Sequence, residues 1–438
     1  MGKKSLLWGL LTFLLLAMTG CGGSKAVEKK QVTITLKVPT LEMVCVTDPH
    51  VQEAYAMLQI ATKDFAAQYK DADVKFNLVK FALTDEDLYV RDCFDTENAT
   101  DILYEDFFNM STYVYTGRVV PLDDIIDAQW KQDISANYWK MGQRRGRTYM
   151  LPYLARQNTL AYNKDLFHKA GLDKYFTEDE EVQSWTLEQW DEIMAKLKAG
   201  LPPNTYGVAM YARNDQGDTH TMTWLRSHGS TFFAKDGKVH LNTPEGIAAL
   251  RWLKTNYDKG YYPPNCENIA IKDCGRLFWN GQLAMKMNNV QNPKFDDSKL
   301  GLVNFPSKDG KGMVTSFVTG FAVFDNGNKD KLKVAKDFLK YFYHNEKCMD
   351  YAAGNLPASS KVTEKFKDKI YRSAAFVKNN PQVIDFMGET PNWRGIRNVF
   401  YKHIQDLFRG IKTPEQVAEK LDADCNAIIE QASVKFHE

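Results

Sequence analysis

Leu151-Pro152, Tyr162–Leu172 (YNKDLFHKAGL) and Trp185–Trp190 (WTLEQW) make up the stretch whose reading decides the fold. Inside it, Thr186-Leu187-Glu188-Gln189 is a capping box: hydroxyl and side-chain amide each satisfy a backbone N–H at a helix start. Trp190, Ile193, Met194 and Leu197 follow at helical spacing, and Gly200 supplies the stop. Outward toward the N-terminus, Val32, Ile34, Leu36 and Val38 alternate with polar residues and predict a first strand. Asp48-Pro49 then predicts a helix start, with Ala54, Leu58, Ala61 and Phe65 on one face. Val74–Leu78 alternates again, so this part opens strand, helix, strand.

Outward toward the C-terminus, Thr243-Pro244-Glu245 and Thr413-Pro414-Glu415-Gln416 predict two more helices. Short β-prone segments at Leu283–Met287, Leu300–Val303 and Thr319–Phe324 separate the helical ones. The pattern is α/β, and 438 residues at roughly 150 per domain suggest two or three domains. No internal repeat and no Pro/Gly/Ser linker follows residue 30. Two domains without a linker imply that the chain crosses between them through structured segments.

Composition excludes several classes. With 56 basic and 55 acidic residues, a net charge of +1 argues against a general electrostatic grip on nucleic acid. A mean hydropathy of −0.44 with one long apolar run excludes a polytopic membrane protein. That run, Leu6–Ala17, follows Lys3 and Lys4 and has the length of a signal h-region. Leu16-Ala17-Met18-Thr19-Gly20-Cys21 after it resembles a bacterial lipobox, in which cleavage precedes the Cys and the thiol takes a diacylglycerol. An ordinary secretory signal with a chance cysteine is the alternative. Removing residues 1–20 takes away two lysines and turns the net charge to −1. An acylated Cys21 would hold the chain at a membrane, with residues 21–31 as a tether.

The other six cysteines show no C-x-x-C. Cys266 and Cys274 form either a local disulfide or buried free thiols. There is no G-x-S-x-G, H-E-x-x-H, P-loop or G-x-G-x-x-G. The eight histidines are scattered, and His220 and His228, eight apart with Trp224 between them, make a poor metal pair. Glu105-Asp106 and Asp123-Asp124 could serve acid–base chemistry on a glycosidic bond, or cap and solvate turns. Arg144-Arg145-Gly146-Arg147 is the one dense basic cluster and reads as a solvated loop. Nothing here argues positively for catalysis.

Taken in order, the three opening segments resemble the "LP…YNKDLFKKAGL…TWEEF" signature of the family 1 extracellular solute-binding proteins of ABC importers. Thr100–Asp106, Phe278–Met285 (FWNGQLAM), Val318–Val323, Ala335–Phe342 and Leu356-Pro357 fit further segments of that family. The resemblance implies a two-lobed, type II periplasmic-binding-protein-like α/β fold with a ligand cleft between the lobes, closing about a hinge. It places one lobe at 32–153 plus 306–350 and the other at 154–305 plus 351–438. It implies a monomeric, non-enzymatic, cofactor-free and metal-free receptor on the extracytoplasmic face. The partners would be a mono- or oligosaccharide ligand and the membrane subunits of an ABC permease, with no nucleic acid. A secreted glycan-acting hydrolase and a surface glycan-binding protein that transfers nothing are the alternatives.

Carried over by position, the resemblance points to Thr47, Asp48 and His50; Glu105 and Asp106; Arg156 and Gln157; Asp218–Trp224; Asn288–Gln291; Gly320; and Trp393. Trp393 would be a stacking platform or a core residue, and Trp224 the start of a buried helix or a ligand contact. Asp48 has its own alternative as a helix cap. Two positions depart from the maltodextrin binders, which carry an acid near Arg156 and an aromatic near Glu105. An arginine in the cleft favours an anionic sugar; Glu105 and Asp106 favour neutral or amine-bearing ligands.

Overall fold

The computed structural model describes residues 29–437 apart from 42, 177–180, 215–216, 289–298 and 386. Cys21 with the whole N-terminal address, and Gln291, lie outside the described residues.

The chain opens with β1 (Gln31–Pro39), α1 (Ala54–Gln68) and β2 (Asp73–Phe81), and β1 and β2 pair in parallel along their full length. This is the strand–helix–strand that alternation predicts. The helix starts later than Asp48-Pro49 suggests: Asp48 Oδ1 instead accepts the N–H of His50 at 3.0 Å, closing a tight turn. Next come α2 (Glu86–Tyr89), β3 (Ile102–Asp106), α3 (Phe107–Val114), α4 (Ala128–Asp133) and α5 (Ala136–Met141). A small hairpin, β4 (Gln143–Arg144) and β5 (Arg147–Thr148), leads into the 13-residue β6 (Leu151–Asn163).

Helices α6 (Lys164–Lys169), α7 (Leu187–Gly200), α8 (Asp218–Arg226), α9 (Pro244–Asp258) and α10 (Ile271–Trp279) follow. Then come β7 (Met285–Asn288), β8 (Leu300–Val303) and β9 (Met313–Val323). The chain continues with α11 (Lys329–His344), α12 (Glu346–Asp350), β10 (Leu356–Pro357), α13 (Ser360–Lys365), α14 (Ser373–Lys378) and β11 (Gln382–Ile384). It closes with α15 (Trp393–Phe408) and α16 (Pro414–Gln431). The capping boxes at Thr186 and Thr413 form as their sequences require, and Thr243 caps α9.

Two strands organise everything else. β6 pairs antiparallel with β9 from Leu151 to Asn158 and with β10 at Leu154-Ala155. Its last part, Thr159–Asn163, pairs instead with β7 and β8. β9 in turn pairs with β3 at one end and β11 at the other. Along β6 every residue is buried except Arg156, Gln157 and the terminal Asn163. Such a strand reads as an apolar run, and the polar break marks where it leaves one set of neighbours for another. Gly320 on β9 is fixed by this pairing. A Cβ there would lie 1.9 Å from the carbonyl oxygen of Leu151, so no larger residue fits.

Two hydrophobic clusters flank these strands. One gathers Ile34, Leu36, Leu58, Phe65, Phe338 and Phe342 around β1, α1 and α11. The other gathers Trp190, Trp224, Leu250, Phe305, Ile404 and Leu421 around α7–α9 and α15–α16. All six described cysteines are free thiols, Cys266 and Cys274 among them and both buried, so the thiol alternative holds.

Candidate functional site

β3 runs directly into α3, so Glu105 and Asp106 end a buried strand while Phe108 and Asn109 begin a helix. α15 starts under an Asn392 cap, whose side chain accepts the N–H of Gly395 at 2.9 Å. Arg394 and Arg397 stand three residues apart on this helix and therefore share a face. That face meets α3 and α2.

The seam between them is polar and almost dry. Arg397 donates through Nε to Asp218, the first residue of α8, and through Nη1 to Asn109 Oδ1 at 3.1 Å. Asn109 passes the chain on to Glu105 Oε1 at 3.4 Å. Arg394 pairs with Glu86, and its Nη1 lies 2.8 Å from Asp87. On the β6 side, Arg156 reaches Asp106 at 3.3 Å, and Thr319 donates to the other oxygen of that carboxylate. Two rings lie among these charges: Phe108 and Phe317 are 5.2 Å apart, with Arg397 5.1 Å from the first and Arg156 5.4 Å from the second.

Burial sets the protonation. Glu105 is fully buried, with one oxygen bonded by the Asp106 N–H and Asn109, while the other has no partner among the described residues. Desolvation first, then the neighbouring Glu86 and Asp106, pushes its pKa well above the carboxylate range. Glu86 is likewise raised by burial, which Arg394 opposes. Burial pulls Arg394 down, but Glu86, Tyr113 and Asp87 outweigh it, and its pKa is raised. Each seam arginine thus faces a carboxylate, and burial biases Glu105 toward its protonated form.

The other sequence-derived candidates are placed as follows. Gln157 bonds the carbonyl of Phe376 at 3.1 Å and receives Asn379 at 3.0 Å, beside the seam rather than in it. Asn288 ends β7 opposite Thr159. Asp48 and Thr47 line a separate depression of about 290 Å³ with Glu346, Lys347, Asp350 and Tyr351, and His50 beside them is exposed. Neither tryptophan presents a ring face here. Trp393 is fully buried against Phe233, and Trp224 is fully buried among Trp190, Trp252 and Phe305. Both are held by apolar packing, which is why the stacking role fails for them in this conformation. His220 accepts from the Trp224 indole at 3.2 Å, and burial lowers its pKa to about 3, as befits a neutral core imidazole.

Sequence reasoning missed Phe108, Asn109, Phe317, Arg397 and Glu86. Phe108 lies three residues beyond Glu105, in the first turn of α3. Arg397 was findable as the residue one turn beyond Trp393 on the same helix.

A polar seam with two aromatic faces, lying where two long strands change neighbours, suits capture of a small polar solute. A model of the bacterial extracellular solute-binding proteins matches residues 48–347. The chain belongs to that family. This solute-binding protein is 25% identical over 339 residues to a binding protein of Brucella abortus (strain 2308), covering 73% of this chain and 77% of the relative. It is 23% identical over 368 residues to the sn-glycerol-3-phosphate-binding periplasmic protein UgpB of Shigella flexneri, covering 74% and 78%. Among solved structures, maltose-bound MalE3 of T. maritima superposes with a TM-score of 0.67 at 18% identity, covering 90% and 99%. The cyclic alpha-maltosyl-1,6-maltose binding protein of Arthrobacter globiformis gives 0.71 at 18%, covering 92% and 100%. These likenesses show a MalE-like, two-lobed type II periplasmic-binding-protein fold. Among the described residues, no helix of this solute-binding protein is long and apolar enough to cross a membrane.

Proposed function

We propose that this protein captures a neutral mono- or oligosaccharide in the α3–α15 seam and delivers it to an ABC permease after closing about β6 and β9. The lobes would be 32–153 plus 306–350 and 154–305 plus 351–438. Cys21, acylated after cleavage, would hold the protein at the outer face of the cell membrane. The observation that carries the reading is the pairing of all three seam arginines with carboxylates beside Phe108 and Phe317. Such pairs offer hydroxyl groups both donors and acceptors, and rings offer a sugar its apolar face. An anionic ligand would have to displace Asp106, Glu86 or Asp218 from its arginine, which favours the neutral class. Of the positions named from sequence, Glu105, Asp106 and Arg156 would touch or flank the ligand, joined by Phe108, Asn109, Asp218 and Arg397. The maltose and maltosyl ligands of structural neighbours support a saccharide; the glycerol phosphate of UgpB supports its anionic competitor.

A thermal-shift screen over neutral saccharides, acidic saccharides and sn-glycerol 3-phosphate tests this. A ligand at 100 times its Kd adds about 2.7 kcal/mol of stability. A neutral saccharide should raise the melting temperature and lower the radius of gyration. A response confined to sn-glycerol 3-phosphate or acidic sugars overturns the neutral assignment, and hydrolysis of an added oligosaccharide overturns the receptor reading.

A further inference from the structure

The basic cluster read from sequence as a solvated loop is only partly that. Its Arg145 and Gly146 have positive φ, 48° and 73°, and turn the β4–β5 hairpin. Arg145 is exposed and lies 3.9 Å from the Phe436 ring. Arg144 points inward instead and is only 5% exposed. Its Nη1 donates to the Gln143 carbonyl at 2.7 Å, its face covers Phe107 at 4.6 Å, and among the described residues its Nε has no partner. Its Nη2 meets Met387 Sδ at 3.8 Å. Ser111, also buried, lies 3.8 Å from the same sulfur and 3.3 Å from the Phe108 carbonyl.

A buried guanidinium normally has a carboxylate, because desolvating its charge without one is costly. Among the described residues no carboxylate pairs with Arg144. Two acids that line the same cavity as Arg144 have other partners: Glu389 accepts from the Tyr115 hydroxyl at 3.2 Å, and Asp385 Oδ1 from the N–H groups of Met387 and Gly388 at 3.2 and 2.9 Å. Beside Arg144 is a cavity of about 370 Å³, lined also by Lys140, Arg145, Ser316, Asp385 and Glu389. Two polar groups therefore converge on a thioether, which is a weak acceptor on a flexible, easily displaced side chain.

We propose that this cavity is a second ligand site, distinct from the seam, in which Arg144 binds a small oxyanion, phosphate or carboxylate, and which Ser111, behind the Met387 sulfur, joins once Met387 swings aside. A planar guanidinium fork matches either group bidentately. The remaining volume leaves room for the body of a phosphate ester or a carboxylic acid.

Titration calorimetry of the full protein with inorganic phosphate and, separately, acetate, at ionic strength matched with chloride, tests the site. One of the two should bind saturably at up to tens of millimolar, and the arm that responds names the group. Arg144→Gln should raise the Kd at least about tenfold, and Met387→Ala should lower it. Arg397→Met should leave it unchanged, which separates this site from the saccharide reading. No saturable binding of either anion to both the wild type and Met387→Ala overturns the proposal. So does an unchanged Kd in Arg144→Gln. If Arg144→Gln does not fold by near-ultraviolet circular dichroism, Ser111→Ala and Met387→Ala carry the test, and unchanged affinity in both overturns it.

Discussion

Helix α8 begins in one kind of interior and continues into another. Asp218 at its start is buried against Arg397 in the seam; Trp224, nearly two turns on, is buried in a cluster of rings. Both residues are buried, yet they are held by different forces. The ring cluster is stabilised by apolar area and close packing, and the contact inside it from the Trp224 indole to His220 is between neutral groups. The seam holds several charges and, among the described residues, two orphaned carboxyl oxygens, one on Glu86 and one on Glu105, an arrangement that well-packed apolar residues often better in stability. Burial therefore does not distinguish core from site; the chemistry of what is buried does.

The largest effect should come from the apolar side. Trp224→Ala opens a cavity and should cost about 3–5 kcal/mol by denaturant unfolding, while the protein that remains folded keeps its ligand affinity. A loss of binding in the folded fraction would break the contrast. Next is Arg397→Met, which strips the guanidinium from the buried Asp218. It should cost roughly 3 kcal/mol of stability and lower saccharide affinity by about 100-fold or more in calorimetry. Loss of stability with affinity intact would make the seam a structural clasp.

Glu105→Gln is smaller and depends on pH. The folded pKa of Glu105 lies above its unfolded value, so above about pH 4.5 the unfolded chain releases a proton that the folded chain keeps. Its contribution is thus fully present below that pH and is lost as pH rises toward the folded pKa. The Gln variant, which never ionises, should show a flatter stability profile and a gain of about 1 kcal/mol at pH 7. A wild-type profile with the same slope as the variant would contradict the buried, protonated assignment. Smallest is Phe108→Ala, expected to weaken saccharide binding by about 1 kcal/mol, or several-fold in Kd, with the Trp393→Ala variant acting mainly through stability.

What was legible in the sequence was local. Alternation located β1 and β2, and hydroxyl–amide pairs three residues apart located the starts of α7 and α16, because those signals need only neighbours in the chain. The family resemblance brought Glu105, Asp106 and Arg156 together, and they do share the seam's edge. It could not show what each residue of α15 meets. Trp393 and Arg397 sit one turn apart on the same side of the helix, yet the first is buried against Phe233 while the second reaches Asn109, 288 residues away in sequence. Asp48 shows the same limit at short range: its side chain had two local uses, and the turn to His50 won over the helix cap.

Hydrogen–deuterium exchange with and without a saccharide that raises the melting temperature tests the central claim most directly. Ligand-induced protection is expected at 105–114 and 393–400, with none at 47–50 or in the tryptophan core beyond the general gain in stability. Protection centred on 47–50, with 105–114 and 393–400 unchanged, would contradict it.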